Sequence, residues 1–255
     1  MADESPRAFY DGLAKGYDAI YDDWWAAAQW HARHVDGVLR AHGVAPPARI
    51  LDCACGIGTQ AIPLAAMGYD VTASDISAES VERARREAAT RGIPIQFGVA
   101  DMRALESVAR YDAVIACDNA IPHLLDDREL DAAVGAVANV LEPNGVFLAG
   151  VRDYDALRAE RPSGVPGVVR ERPDGREIVG QAWEWHDQGE QLRIHLFFLR
   201  ERADGWVAEV HTTWYRALTR AALTAALERN QFPDVTWHSA VELGYYQPVV
   251  TARRA

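Results

Sequence analysis

The residues with the clearest chemical meaning are Ile50-Leu51-Asp52-Cys53-Ala54-Cys55-Gly56-Ile57-Gly58-Thr59 and, downstream, Val71-Thr72-Ala73-Ser74-Asp75. The first run reads as a buried strand that ends in a glycine-tight turn and opens a helix. The second reads as a strand with one carboxylate at its C-terminal end. Glycines let backbone approach a ligand closely, and an acid at the end of the next strand takes ribose hydroxyls. A third glycine and a phosphate-binding lysine are both missing. The pattern therefore suits a nucleoside without phosphates better than a dinucleotide or a nucleoside triphosphate.

Three later segments add candidates. Asp101-Met102 stands just beyond a third strand, where its plain reading is a helix cap before Arg103. Cys117-Asp118-Asn119-Ala120-Ile121-Pro122-His123-Leu124 follows a fourth strand, at the sheet edge where ligands of open α/β sheets sit. His123 there is either a packed core histidine or a site residue. Val151-Arg152-Asp153-Tyr154-Asp155 ends a fifth strand. An arginine at that inward position is costly to bury unless it meets an anion, and its planar fork suits a carboxylate. The structural alternative is an ion pair with Asp153 or Asp155.

The elements that must position these residues are legible in outline. Residues 5–43 read as helical and aromatic-rich, and Pro46-Pro47 stops the helix. Strands are expected near 48–54, 69–75, 94–99, 111–118 and 146–151. Helices are expected at 59–67, at 78–91 with Ser77 as its cap, and at 127–141. Strands alternating with helices over this stretch mean a parallel sheet with right-handed crossovers. Residues 156–175, rich in Arg, Pro and Gly, read as a loop. Strands near 176–187, 190–202 and 205–217, joined by Asp-Gln-Gly and Ala-Asp-Gly turns, suggest an antiparallel meander that walls the substrate. A helix at 219–230 and strands near 234–239 and 246–253 complete the chain. The expected division is a helical cap at 1–45, a Rossmann-like core at 46–155, the insert at 156–217 and a closing segment at 218–255.

Bulk properties limit the function classes. The chain has 255 residues, 49% hydrophobic and 25% charged, with a net charge of −11. That charge argues against a nucleic-acid partner, since a phosphate footprint needs a basic stripe. Arg83, Arg85 and Arg86 read as the solvated face of a helix. No apolar run approaches the roughly 18 residues that span a membrane. The acidic N-terminus shows no signal peptide, so a cytoplasmic location is expected, with no membrane partner. Cys53, Cys55 and Cys117 read as small buried hydrophobes rather than metal ligands, and no metal is expected. Self-association is left open.

Asp52-Cys53-Ala54-Cys55-Gly56-Ile57-Gly58-Thr59 resembles the first motif of class I S-adenosylmethionine-dependent methyltransferases, and Asp75 resembles their ribose-binding acid. Asp118-Asn119-Ala120-Ile121-Pro122-His123-Leu124 and Val151-Arg152-Asp153-Tyr154-Asp155 are similar to the Asn-Ser-x-x-His-Leu and His-Arg-Asn-Tyr-Asp segments of glycine N-methyltransferases. That family also carries an antiparallel insert after strand five. The resemblance covers roughly residues 35–155 well and the insert in outline.

It implies an α/β, Rossmann-like methyltransferase sheet with helices on both faces. It also implies S-adenosylmethionine as cofactor, with S-adenosylhomocysteine as product. Tyr10, Tyr17, Ala54, Gly56, Asp75, Ile76, Asp101, Met102 and Cys117 would line the cofactor, with Asp101 at the adenine amino group and Met102 on the ring. Arg152 would hold an acceptor carboxylate, and Asn119 and Tyr215 would orient the acceptor. His123 is the candidate base. The chain departs from the family at Val151, where the family has histidine, and at Ala120, where it has serine. The family's arginine near the cofactor carboxylate has no clear counterpart. The implied reaction is N-methylation of a small carboxylate-bearing amine. The alternative is O- or ring-N-methylation of a larger aromatic molecule, with Trp183, Trp185, Trp206 and Trp214 as its wall.

Overall fold

The structure, a computed structural model, describes residues 3–255, and the chain enters through α1 (Pro6–Leu13), a 3-10 turn (Tyr17–Ile20) and α2 (Trp24–Ala41). The single helical stretch expected over 5–43 is thus broken twice. Ser5 caps α1 by accepting from the Ala8 N–H, and Asp23 restarts the helix by accepting from the Ala26 N–H at 3.0 Å. The break lets Tyr10 and Tyr17 face the centre of the molecule while Trp24 packs elsewhere.

The core then alternates β1 (Arg49–Asp52), α3 (Ala61–Ala66), β2 (Asp70–Asp75), α4 (Ala78–Thr90), β3 (Gln96–Val99), β4 (Tyr111–Ala116), α5 (Asp127–Val140) and β5 (Leu141–Gly150). Ser77 caps α4, accepting from the Ser80 N–H at 3.1 Å. Successive strand residues leave on opposite faces, and here both faces are apolar, as a sheet covered on both sides requires. Ile50, Val71, Ala113 and Ile115 pack under α2 and α3; Leu51, Val114, Phe147 and Ala149 pack under α5. β5 starts earlier than expected, at Leu141, because Leu141 pairs with Tyr111 before a bulge restores the register at Val146–Ala113.

After β5 come α6 (Tyr154–Glu160), β6 (Gly164–Arg172), β7 (Gly175–His186), β8 (Gln191–Arg202), β9 (Gly205–Arg216), α7 (Arg220–Arg229), β10 (Asp234–His238), α8 (Ala240–Leu243) and β11 (Val249–Arg253). The expected loop at 156–175 is therefore corrected to most of a helix plus a fourth insert strand. Asp153 caps α6 through the Ala156 N–H. β6 hid from pattern reading because it is an edge strand: Pro166 sits in its bulge, and most of its residues are exposed, so hydrophobic alternation is absent. The main sheet has the order β10-β11-β5-β4-β1-β2-β3, parallel from β1 to β5, with β11 antiparallel to β5. The insert is a separate antiparallel sheet, β6-β7-β8-β9. Among the described residues no helix is long and apolar enough to cross a membrane.

Candidate active site

The C-terminal ends of β1, β2 and β4 open into one cavity of about 650 Å³, roofed by α1 and the 3-10 turn and walled by β9. Its volume lies within the range of roughly 300–1,000 Å³ that holds a small organic ligand. Gly56 (φ 52°) faces this space with nothing in the way of an approaching ligand. Gly58 (φ 93°) is required for a different reason, since a Cβ there would lie 2.5 Å from Ile62 Cδ1.

Asp75 accepts from the Gly56 N–H at 2.8 Å through one oxygen and from the Ser77 N–H at 2.9 Å through the other. Burial nonetheless raises its carboxyl above the usual range. Asp101 does two things: it lines the cavity, and it caps the Met102 turn by accepting from the Arg103 N–H at 2.9 Å. Burial alone would raise its carboxyl, but hydrogen bonds from the Arg103 guanidinium outweigh that and hold it low. Ala54, Ile76, Met102 and Cys117 complete the lining expected of a cofactor site, with Tyr10 and Tyr17 on the roof. The apolar surface of Ile76, Met102 and Leu124 suits a flat base, and the paired oxygens of Asp75 suit a ribose. The residues present thus fit a nucleoside with an amino-acid tail.

Cys53, Cys55 and Cys117 all reach the cavity wall as free, buried thiols, and burial pushes each of them up. No group of three His, Cys, Asp or Glu among the described residues is placed to hold a metal ion.

The four residues expected at the acceptor are brought together, but only His123 lines the cavity. Its Nε2 lies 3.1 Å from the Tyr10 hydroxyl and its Nδ1 lies 3.2 Å from the Trp214 carbonyl. The Tyr215 ring lies 4.3 Å from the His123 ring. Asn119 is 3% exposed and engaged through both its oxygen and its nitrogen: it accepts the Arg152 backbone N–H at 3.0 Å and donates to the Tyr154 hydroxyl at 2.9 Å. The Arg152 guanidinium lies 5.4 Å from the centroid of Trp183 and 5.9 Å from that of Tyr215. Its Nη1 is buried without a hydrogen-bond partner. The acids next to it in sequence are engaged elsewhere: Asp153 pairs with the Arg220 guanidinium at 2.8 Å, and Asp155 accepts the Arg220 N–H.

Sequence reasoning passed over several lining residues. Gln60 and Asp118 directly adjoin the motifs and were within reach of it. Glu4 was not, because only the tertiary fold brings the start of α1 onto β9, where Glu4 accepts from Nε1 of Trp214, one of the tryptophans expected along the wall, at 2.7 Å and pairs with Arg193. Arg83, read as solvated, instead reaches the Ala14 and Lys15 carbonyls and Asp18, and so fastens the roof.

Comparison with known proteins agrees with this geometry. Residues 50–145 match the family described as "Methyltransferase domain". A glycine/sarcosine N-methyltransferase of Halorhodospira halochloris is 29% identical over 157 residues, 61% of this chain and 57% of that protein. The match thus spans little more than half of that relative's length. A ubiquinone biosynthesis O-methyltransferase of Xanthomonas axonopodis pv. citri is 31% identical over 180 residues, 66% of this chain and 72% of that protein. Among solved structures, a sugar N-methyltransferase from Streptoalloteichus superposes over 100% of this chain and 98% of its own, with a TM-score of 0.74 at 22% identity. With its glycine turn, the acid that ends β2, its strand order and these relatives, the chain belongs to the class I S-adenosylmethionine-dependent methyltransferase family.

Proposed function

We propose that the protein methylates the nitrogen of a small amine that also carries a carboxylate, of which glycine and sarcosine are the simplest. The observation that carries this reading is Arg152. Its guanidinium is held on two aromatic faces beside the acceptor end of the cavity, with one nitrogen buried and unpartnered. Arg152 is half-buried, but a guanidinium nitrogen that is out of reach of water and has no acid beside it is costly, so an anionic ligand is the natural complement. Asn119 holds the Arg152 backbone and Tyr154 in place, and so acts as a positioning residue rather than touching the acceptor.

The bound cofactor supplies an electrophilic methyl group on a sulfonium. Tyr10 and Tyr17 close the roof against water, and Tyr215 and Arg152 align the acceptor, so that the contribution of this chain is orientation and exclusion of solvent. His123 does not serve as the base in this reading. Burial lowers its imidazole to about 3, with the Arg152 charge adding to the effect, and both ring nitrogens are already hydrogen-bonded. The acceptor instead loses its proton to solvent before it is aligned.

The aromatic alternative has less support from the insert, where of the four tryptophans Trp214 lines the cavity and Trp183 faces the Arg152 guanidinium. A second reading, an amine on a sugar, is supported by the likeness to the sugar N-methyltransferase over the whole chain, insert included. The Arg152→Met variant separates the two. A carboxylate-bearing acceptor should show a KM about 10- to 100-fold higher with the variant. An unchanged KM would point to an acceptor without the carboxylate.

A further inference from the structure

The far end of the cavity, beside the glycine turn, has a polarity the methyltransferase resemblance does not account for. The cations that line the cavity are Arg7 and Arg103, and both lie toward Asp101. Beside the glycine turn stands a carboxylate instead, Asp118. One of its oxygens accepts from Gln60 Nε2 at 3.0 Å and the other from the Tyr246 hydroxyl at 2.5 Å. Both donors are neutral, so the negative charge is held but not cancelled.

Gln60 follows the glycine turn directly, which aims Asp118 toward the cofactor's loop rather than toward Arg152. The backbone is bent to this end: Asp118 (φ 54°) and Asn119 (φ 67°) are consecutive left-handed residues. Such pairs cost energy and persist where the surroundings fix them. The turn sends Asp118 into the cavity and Asn119 beneath it.

The surroundings are aromatic. Tyr17 lines the cavity, the Tyr21 ring lies 6.2 Å from Tyr17, and the His31 ring lies 6.3 Å from Tyr21 and 5.0 Å from Tyr246. Burial first, and then the Asp118 charge, raise the Tyr17 and Tyr246 hydroxyls. A carboxylate ringed by aromatic faces is a site for a cation.

We propose that Asp118, clamped by Gln60 and Tyr246, is the anchor for the α-ammonium group of the cofactor's amino-acid end. The assignment rests on the cofactor alone and not on the acceptor.

The test is calorimetric titration of the wild type and of Asp118→Asn with three nucleosides: S-adenosylhomocysteine, its analogue lacking the α-amino group, and 5′-methylthioadenosine, which lacks the amino-acid end. Asparagine tolerates the left-handed backbone, so the variant keeps the turn. The wild type should bind the deaminated analogue at least about tenfold more weakly than S-adenosylhomocysteine, as expected for loss of a charge-assisted hydrogen bond. The variant should lose a similar factor for S-adenosylhomocysteine and bind the other two as the wild type does. If the variant binds 5′-methylthioadenosine equally poorly, Asp118 is only structural and the proposal fails. It fails too if the variant binds S-adenosylhomocysteine normally. The wild-type titrations stand even if the variant does not fold: equal affinity for the first two nucleosides overturns the assignment, and the tenfold loss sustains it.

Discussion

The hydroxyl of Tyr10 lies 3.1 Å from Nε2 of His123, while Nδ1 of the same ring meets the Trp214 carbonyl at 3.2 Å. A carbonyl only accepts, so Nδ1 carries the proton, and Nε2 accepts from the tyrosine. The ring is a neutral bridge between the roof and the insert, and protonation would turn Nε2 against its partner. The unfolded chain takes up a proton on this imidazole near pH 6.5, whereas the folded chain does so only at about 3. Between these values the unfolded state binds more protons, so stability falls as the pH falls. At pH 5 the loss should reach at most about 2 kcal/mol. Urea unfolding of the wild type and of His123→Asn at pH 5 and pH 7 checks this: the drop should be smaller in the variant. kcat/KM for the acceptor should rise smoothly with pH and show no step near pH 6.5.

Arg152 separates function from stability. An arginine retained for an ion pair would destabilise the fold when removed. Here the neighbouring acids belong to Arg220, and Nη1 has no partner. Arg152→Met fills the space between Trp183 and Tyr215 without a charge. The variant should melt no lower than the wild type, while acceptor binding is lost. A melting temperature lower by several degrees would show that the guanidinium has a structural partner.

Asp52 titrates in the opposite sense to His123. It is 1% exposed, its Oδ2 has no partner, and burial raises its carboxyl to about 8, with Asp75 and Asp118 adding repulsion. The unfolded chain ionises this group near pH 4 and the folded chain does not, so between pH 4 and 8 stability falls as the pH rises. Asp52→Asn removes the titration. The variant should gain stability relative to the wild type from pH 5 to pH 8, by an amount on the order of a few kcal/mol at the upper end. Parallel denaturation curves across that range measure it. A constant difference would contradict the buried neutral acid.

Glu4 joins the roof to the insert. It pairs with Arg193 at 2.5 Å and accepts from Trp214, while Asp11 accepts from the Ser77 hydroxyl at 2.6 Å on the core side. Glu4→Ala should leave global stability within about 1 kcal/mol, as partly exposed pairs contribute little. It should, however, speed tryptic cleavage at Arg7 and Lys15 and weaken cofactor binding. Unchanged cleavage would show that Phe9 and Leu13, buried against the insert, hold the roof without help.

How much of this was legible follows from the range of the interactions. The cofactor half is written in contiguous segments, because a glycine turn and the next strand's acid are local features, and Asp75 and Gly56 do meet at 2.8 Å. The acceptor half depends on contacts across the chain. Asn119 was expected at the acceptor, but its side chain is spent on Arg152 and Tyr154, 33 and 35 residues away. The cap role of Asp101 and its place on the cavity looked like alternatives, yet one carboxylate does both. β6 was hidden because an edge strand buries too little to leave a pattern. The bridge from Tyr10 to His123 spans 113 residues and had no local signal at all.

N-methylation of an amine anchored through its carboxylate is read out by S-adenosylhomocysteine release over matched acceptors: glycine with glycinamide, sarcosine with dimethylamine, and a free amino sugar. Turnover confined to the carboxylate members, and lost with Arg152→Met, is the predicted result. Turnover as fast on the uncharged partners, or on the amino sugar alone, would contradict it.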